Sequence, residues 1–149
     1  SASSAVVFQQ NSGLKALSSG HIWGNLISGK PFNYVPEMHN DMIFSFIGNA
    51  LGFFGCCIVV IALFIICIRI LRSSRGVDEG MQGNVISAGL VGMFAFQAII
   101  NIGMNLKVLP VVGITLPFFS AGGSSTLACY IAIGVALSVY RQNHIKTMY

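Results

Sequence analysis

Glu37, His39 and Asp41 stand together in Val35-Pro36-Glu37-Met38-His39-Asn40-Asp41-Met42-Ile43-Phe44, immediately ahead of an apolar run long enough to cross a bilayer. Desolvating an acidic group at a membrane edge is costly, so carboxylates placed there are functional candidates. Glu37 and Asp41 lie four residues apart and share one face if the segment is helical. Two carboxylates that close do not both ionise freely, which is one route to a general acid or base that works near neutral pH. A helix N-terminus favours the anion and acts in the opposite sense. Asp41 and Glu37 are therefore the catalytic candidates. His39 falls on a different helical face from Asp41 and reads as an orienting or interfacial residue, not as a metal ligand.

A second polar set lies inside apolar sequence. Gln97, Asn101 and Asn105 recur every four residues and form one amide stripe on a helix. Such a stripe either holds helices together by hydrogen bonds or forms a polar groove wall that binds sugar hydroxyls. Ser120-Ala121-Gly122-Gly123-Ser124-Ser125-Thr126 follows Pro110, Gly113 and Pro117. Its glycines and hydroxyls either present N–H groups to an anion or let two helices pack closely. Lys107 is either a solvated lysine or a recruiter of a phosphate-bearing substrate. The candidate substrate-binding set is thus His39, Gln97, Asn101, Asn105, Lys107, Ser120, Gly122, Gly123, Ser124 and Ser125.

The elements that must position these groups follow from composition. The chain has 149 residues, 54% hydrophobic and 8% charged. A soluble domain is about a quarter charged, so the expected class is an all-α integral membrane protein. The net charge of +4 comes mostly from basic residues beside apolar segments and does not indicate nucleic-acid binding. Cys56, Cys57, Cys67 and Cys129 lie within apolar runs without metal-ligand spacing and read as small hydrophobes.

Three spans are expected, at about 42–70, 85–104 and 116–140, the third with a small-residue interruption near its start. Residues 1–41 form a large extracytoplasmic loop or interfacial segment, with Trp23, Phe32 and Tyr34 at headgroup depth. Arg69, Arg72 and Arg75 follow the first span, and Arg141 and Lys146 the third. The positive-inside rule places those ends, and the C-terminal tail, in the cytoplasm. Asp41 and the 107–117 connection then face outward. The whole reads as one domain, a bundle fragment. The start at Ser1-Ala2-Ser3-Ser4, without Met or a basic n-region, is expected of part of a longer chain.

The Val35 to Phe44 stretch, followed by Ile47-Gly48 and Leu51-Gly52, resembles the "PE-x-H-x-D-F-I-F … IG-x-x-LG" signature of the SEDS proteins, the RodA/FtsW/SpoVE polymerases of shape, elongation, division and sporulation. Residues 97–105 and 109–125 agree with two further family stretches. Asn40, Met42, Ala121 and Asn49-Ala50 depart from the family's common residues, as does the stretch from Ser18 to Asn25. The resemblance implies a C-terminal portion of a protein of about ten spans. It also implies a peptidoglycan glycosyltransferase that uses lipid II, a disaccharide-peptide on undecaprenyl pyrophosphate, in the bacterial cell membrane. The family's outer-loop aspartate maps onto Asp41, with the implied role of general base, and Glu37 is implied to tune it. The implied partner is a class B penicillin-binding protein, a transpeptidase. A divalent cation, Mg or Mn, would assist the pyrophosphate, although no dedicated metal site is visible.

Two other functions are open to the same residues. A flippase for a lipid-linked precursor would move substrate without forming a bond, and would want its polar groups at the membrane midplane. A non-catalytic scaffold for the transpeptidase would depend on its partner interface and not on Asp41.

Overall fold

The computed structural model describes residues 2–29, 31, 40–73 and 81–146. The described residues form helices and connections without strands. In order these are α1 (Ala2–Ser19), α2 (Asn25–Ser28), α3 (Ile43–Ser73), α4 (Met81–Asn105) and α5 (Gly123–Lys146). Three helical stretches, Ile43–Ser73, Gly83–Asn105 and Gly123–Arg141, are long and apolar enough to cross a membrane.

α3 contains no proline and runs as apolar sequence up to Arg69 and Arg72 near its end. At ~1.5 Å per residue its 31 residues would reach ~46 Å, well beyond a hydrocarbon core of ~30 Å. The helix is broken at Gly52, whose φ of 69° and ψ of −158° are not helical. A side chain is excluded there twice over. The backbone is left-handed, and a Cβ would stand 2.5 Å from Gly24 N and 2.6 Å from the Ile22 carbonyl oxygen. The His21 carbonyl takes the Phe53 N–H at 2.9 Å, so the α1–α2 turn is wedged into the break.

Burial changes character across this point. Before it, Phe44, Ser45, Ile47, Gly48, Asn49 and Ala50 are buried by protein. After it, Phe53, Phe54, Ile58 and Phe64 are exposed, while Val59, Leu63 and Ile70 face α4 and α5.

Residues 2–29 are more regular than their Gly, Ser and Asn content suggests. Residues 2–19, expected as loop or interfacial structure, form α1, which packs on the first turns of α3. Ala16 and Met42 are fully buried there beside Phe46 and Val111. Long-range packing supplies what local apolar periodicity lacks.

The α4–α5 connection turns back along α4. Lys107 takes a left-handed φ of 60°, and the Leu109 N–H bonds the Gly103 carbonyl at 3.1 Å. Val112 N–H reaches Met104 Sδ at 3.4 Å, and the Ile114 carbonyl accepts from Asn101 Nδ2 at 2.7 Å. Phe118 then stacks on Phe94 with ring centroids 5.1 Å apart. From Gly103 to Phe94 is ~14 Å of helix, so the loop is re-entrant.

The expected third span therefore needs a correction. Its helix starts at Gly123, not at Leu116. Pro117 has no N–H to give, Phe118 has a φ of 66°, and the Leu116 N–H is taken by Ser120 Oγ at 2.7 Å. α5 then lays Cys129, Ala132 and Ala136 against Ile70 and Phe94, small residues that allow close approach.

Candidate functional site

Asp41 sits half-buried at the turn into α3, with Met42 beneath it fully buried. Two amides from α4 hold its main chain. Asn101 Nδ2 donates to the Asp41 carbonyl at 2.8 Å, and Asn105 Nδ2 donates to the same oxygen at 3.0 Å. Asn101 Nδ2 also donates to the Ile114 carbonyl at 2.7 Å, so one side chain joins the α3 turn to the re-entrant loop. Asn105 Oδ1 accepts from Ser45 N at 3.1 Å and from Ser45 Oγ at 2.6 Å. Asn105 Nδ2 further lies 3.2 Å from Asn101 Oδ1, which locks the two amides together. Asn101, Asn105 and Ser45 are all buried.

These bonds go to backbone and to each other, so they fix the Asp41 main chain without consuming its carboxylate. That carboxylate faces the re-entrant loop at Gly113, where a Cβ would lie 3.7 Å from Asp41 Oδ2. Gly113 has a left-handed φ of 72°, which favours glycine, so the loop backbone passes beside the carboxylate with no side chain between. The arrangement is a carboxylate on a clamped backbone, flanked by a loop glycine. It suits proton transfer to or from a bound hydroxyl.

The other candidate residues divide. Glu37 and His39 lie outside the described residues. Asn101 and Asn105 adopt the bracing role open to the amide stripe. Gln97, one turn further along α4, is half-buried, and its Oε1 is buried with no hydrogen-bond partner among the described residues. Lys107 is exposed and donates from Nζ to Asn11 Oδ1 at 2.6 Å. Ser120 is buried and holds the loop through the Leu116 N–H. Ser125 Oγ and Thr115 Oγ1 share a hydrogen bond of 2.6 Å across the mouth of α5. Gly122 is half-buried, and Gly123 and Ser124 are exposed at the α5 N-terminus.

The described residues contain no group of three metal-ligating His, Cys, Asp or Glu side chains, and Asp41 is their only carboxylate. They do not build a cation site by themselves.

Sequence reasoning overlooked Ser45, the place of Gly113 beside Asp41 and a second buried amide cluster. Asn49 Oδ1 accepts from Asn25 Nδ2 at 2.5 Å and from Ser19 Oγ at 3.4 Å. The signal for Ser45 was its place one helical turn after Asp41.

The geometry has relatives. The FtsW/RodA/SpoVE family, described as "Cell cycle protein", matches residues 3–145. The chain is 36% identical over 136 residues to "Stage V sporulation protein E" of Bacillus subtilis, covering 90% of this chain and 37% of that one. It is 36% identical over 143 residues to "Probable peptidoglycan glycosyltransferase FtsW" of Nitrosomonas europaea, covering 93% and 37%. A solved structure described as "Structural coordination of polymerization and crosslinking by a peptidoglycan synthase complex" superposes with a TM-score of 0.69 at 30% identity, covering 88% of this chain and 37% of that chain. The chain thus spans 37% of the length of these relatives.

Proposed function

Because the chain belongs to the FtsW/RodA/SpoVE family of bacterial membrane proteins, we propose that it contributes the acid–base centre of a peptidoglycan glycosyltransferase that polymerises lipid II. The observation that carries this reading is Asp41, held at a helix entrance by the Asn101 and Asn105 amides with its carboxylate beside Gly113.

In this reading Asp41 faces the outside of the cell membrane and the C-terminal end of α5 faces the cytoplasm, as the basic residues Arg69, Arg72 and Arg141 indicate. The 4-hydroxyl of the acceptor sugar approaches the Asp41 carboxylate. Its oxygen bonds to the donor's anomeric carbon as its proton passes to Asp41. The bond from that carbon to the pyrophosphate oxygen breaks, and undecaprenyl pyrophosphate leaves with the electron pair. Attack opposite the leaving group inverts the anomeric centre to a β-1,4 link. The clamp from α4 contributes orientation of the Asp41 main chain. A divalent cation, if used, would neutralise the departing pyrophosphate. A class B penicillin-binding protein is the proposed partner, cross-linking the strands as they form. Glu37 is proposed to tune Asp41.

The test is lipid II polymerisation by the complete protein with its transpeptidase partner, comparing wild type with Asp41→Ala and Asp41→Asn. A well-placed general base is worth ~10²–10⁴-fold, so both variants should lose glycan product by that factor while the complex stays intact. Near-normal polymerisation by Asp41→Asn overturns the assignment. Movement of labelled lipid II across proteoliposomes without bond formation would instead support transport. Retained partner binding and cell-wall assembly without Asp41 would point to a scaffold.

A further inference from the structure

The polarity of α2 is inverted for a protein surface in water. Its amide, Asn25, is buried at 3% exposure and bonded to Asn49, while Leu26 and Ile27 are 67% and 66% exposed. The preceding turn continues the pattern, with Ile22 at 56% and Trp23 at 62% exposed. Four large apolar side chains thus point away from the protein from a six-residue stretch that turns its one amide inward. In water this arrangement is costly, but in hydrocarbon it is the expected one.

Further observations say what covers the patch. Trp23 lies against Phe54 of α3 with ring centroids 5.4 Å apart, so the patch continues onto the exposed face of a membrane-spanning helix. That face consists of large residues, Phe53, Phe54, Ile58, Ile61 and Phe64, whereas helix–helix contacts within membranes favour small ones. Two of the three glycines of α3, Gly48 and Gly52, are turned against Leu17 and the 22–24 backbone. The break at Gly52 also divides α3 so that residues 53–73 alone match the ~20 residues that span a bilayer, which sets Phe53 and Trp23 at the hydrocarbon boundary. Beside them a nearly apolar groove of about 420 Å³, lined in part by His21, Phe44, Phe53, Cys56 and Val60, offers room for a hydrocarbon chain.

We propose that residues 22–27 are a membrane anchor, with Ile22, Trp23, Leu26 and Ile27 inserted among the lipid acyl chains of the leaflet on the Asp41 side. The partner is the lipid surface itself. The anchor is fastened to α3 by the His21–Phe53 main-chain bond and by Asn25–Asn49, so its depth fixes the height of the Gly52 break relative to the bilayer. The inference stands on the membrane-spanning helices and is independent of the reaction assigned to Asp41.

Trp23 is the single tryptophan of this chain and reports on its own surroundings. The complete protein is reconstituted in phosphatidylcholine vesicles whose acyl chains carry bromine either near the headgroup or near the chain end. The emission of Trp23 is taken as wild type minus Trp23→Phe. The expected result is blue-shifted emission that loses most of its intensity to bromine near the headgroup, less to bromine near the chain end, and none to aqueous iodide. A Trp23→Phe, Leu26→Trp double variant moves the probe along the patch and should behave alike. Quenching by iodide would place the segment in water and overturn the proposal. Emission quenched by neither reagent would mean that protein covers the patch, and would overturn it equally.

Discussion

Asn101 donates to the main-chain carbonyl of Asp41 at 2.8 Å from a position that is completely buried in α4. The residue proposed to move a proton and the residue that positions it are 60 apart in sequence. The contact is made to backbone, so it survives any change of the Asp41 side chain. The same Asn101 nitrogen also reaches Ile114, which makes the placement of Asp41 and of the re-entrant loop a single structural event.

Replacing Asn101 should therefore act on geometry. Asn101→Ala leaves the part-buried Ile114 carbonyl without its donor and the Asp41 carbonyl with Asn105 alone, a loss of about 1–3 kcal/mol for the unsatisfied group. The complete protein should melt at a lower temperature. Polymerisation should fall by on the order of 10²-fold through misplacement of Asp41. Asn101→Leu, which fills the volume but restores no donor, should not rescue activity. Rescue by Leu would show that Asn101 matters for packing alone.

The second amide cluster makes a separable prediction. Asn49 Oδ1 is shared by Asn25 Nδ2 and Ser19 Oγ. Asn25→Ala and Asn49→Ala should each destabilise the protein, and the double variant should cost less than their sum. A coupling energy of about 0.5–3 kcal/mol is expected for residues in direct contact. Strict additivity in thermal unfolding would show that the two amides do not act on each other.

Gly52→Ala tests the break in α3. The left-handed backbone alone costs on the order of 1–3 kcal/mol with a side chain present. The added Cβ also meets the Gly24 nitrogen and the Ile22 carbonyl, which are backbone atoms and cannot rotate away. The variant should lose the His21–Phe53 bond, visible as faster hydrogen exchange at the Phe53 amide. Unchanged exchange there would mean that the turn does not sit in the break.

Ser120→Ala should loosen the re-entrant loop locally. Leu116 N–H loses its acceptor, and its amide should exchange faster, while amides in the middle of α4 keep their protection. Thr115→Val should have a related effect, because it removes one half of the hydroxyl pair with Ser125. Uniform loss of protection through α4 would instead indicate global unfolding.

The long apolar helices and the position of Asp41 at the head of one were legible because each announces itself locally. Uninterrupted apolar length marks α3 and α4, and a carboxylate at the head of such a run is costly enough to stand out. The amide stripe was visible too, but not what it touches, because the acceptors are main-chain carbonyls of Asp41 and Ile114 that any residue would carry. The start of α5 was misplaced because Leu116, Phe118 and Phe119 extend the apolar run past the point where Pro117 and Ser120 halt the helix. Gly52 reads in sequence as one more small residue in an apolar helix. Only the approach of Gly24, 28 positions earlier in the numbering, makes it a break. α1 was hidden for the same reason, since its partner α3 lies beyond it in the chain.

The re-entrant loop also constrains the order in which the protein is built. A carbonyl such as that of Ile114, whose donor is the Asn101 side chain, does not enter lipid unpaired. α4 and α5 can insert as helices while residues 108–122 wait at the interface, but the loop settles only when Asn101 is in place to receive it. That same side chain must also receive the Asp41 carbonyl from a span inserted earlier. Assembly of the site thus requires α3, α4 and the loop to come together, because a single Asn101 nitrogen serves both the Asp41 and the Ile114 carbonyls.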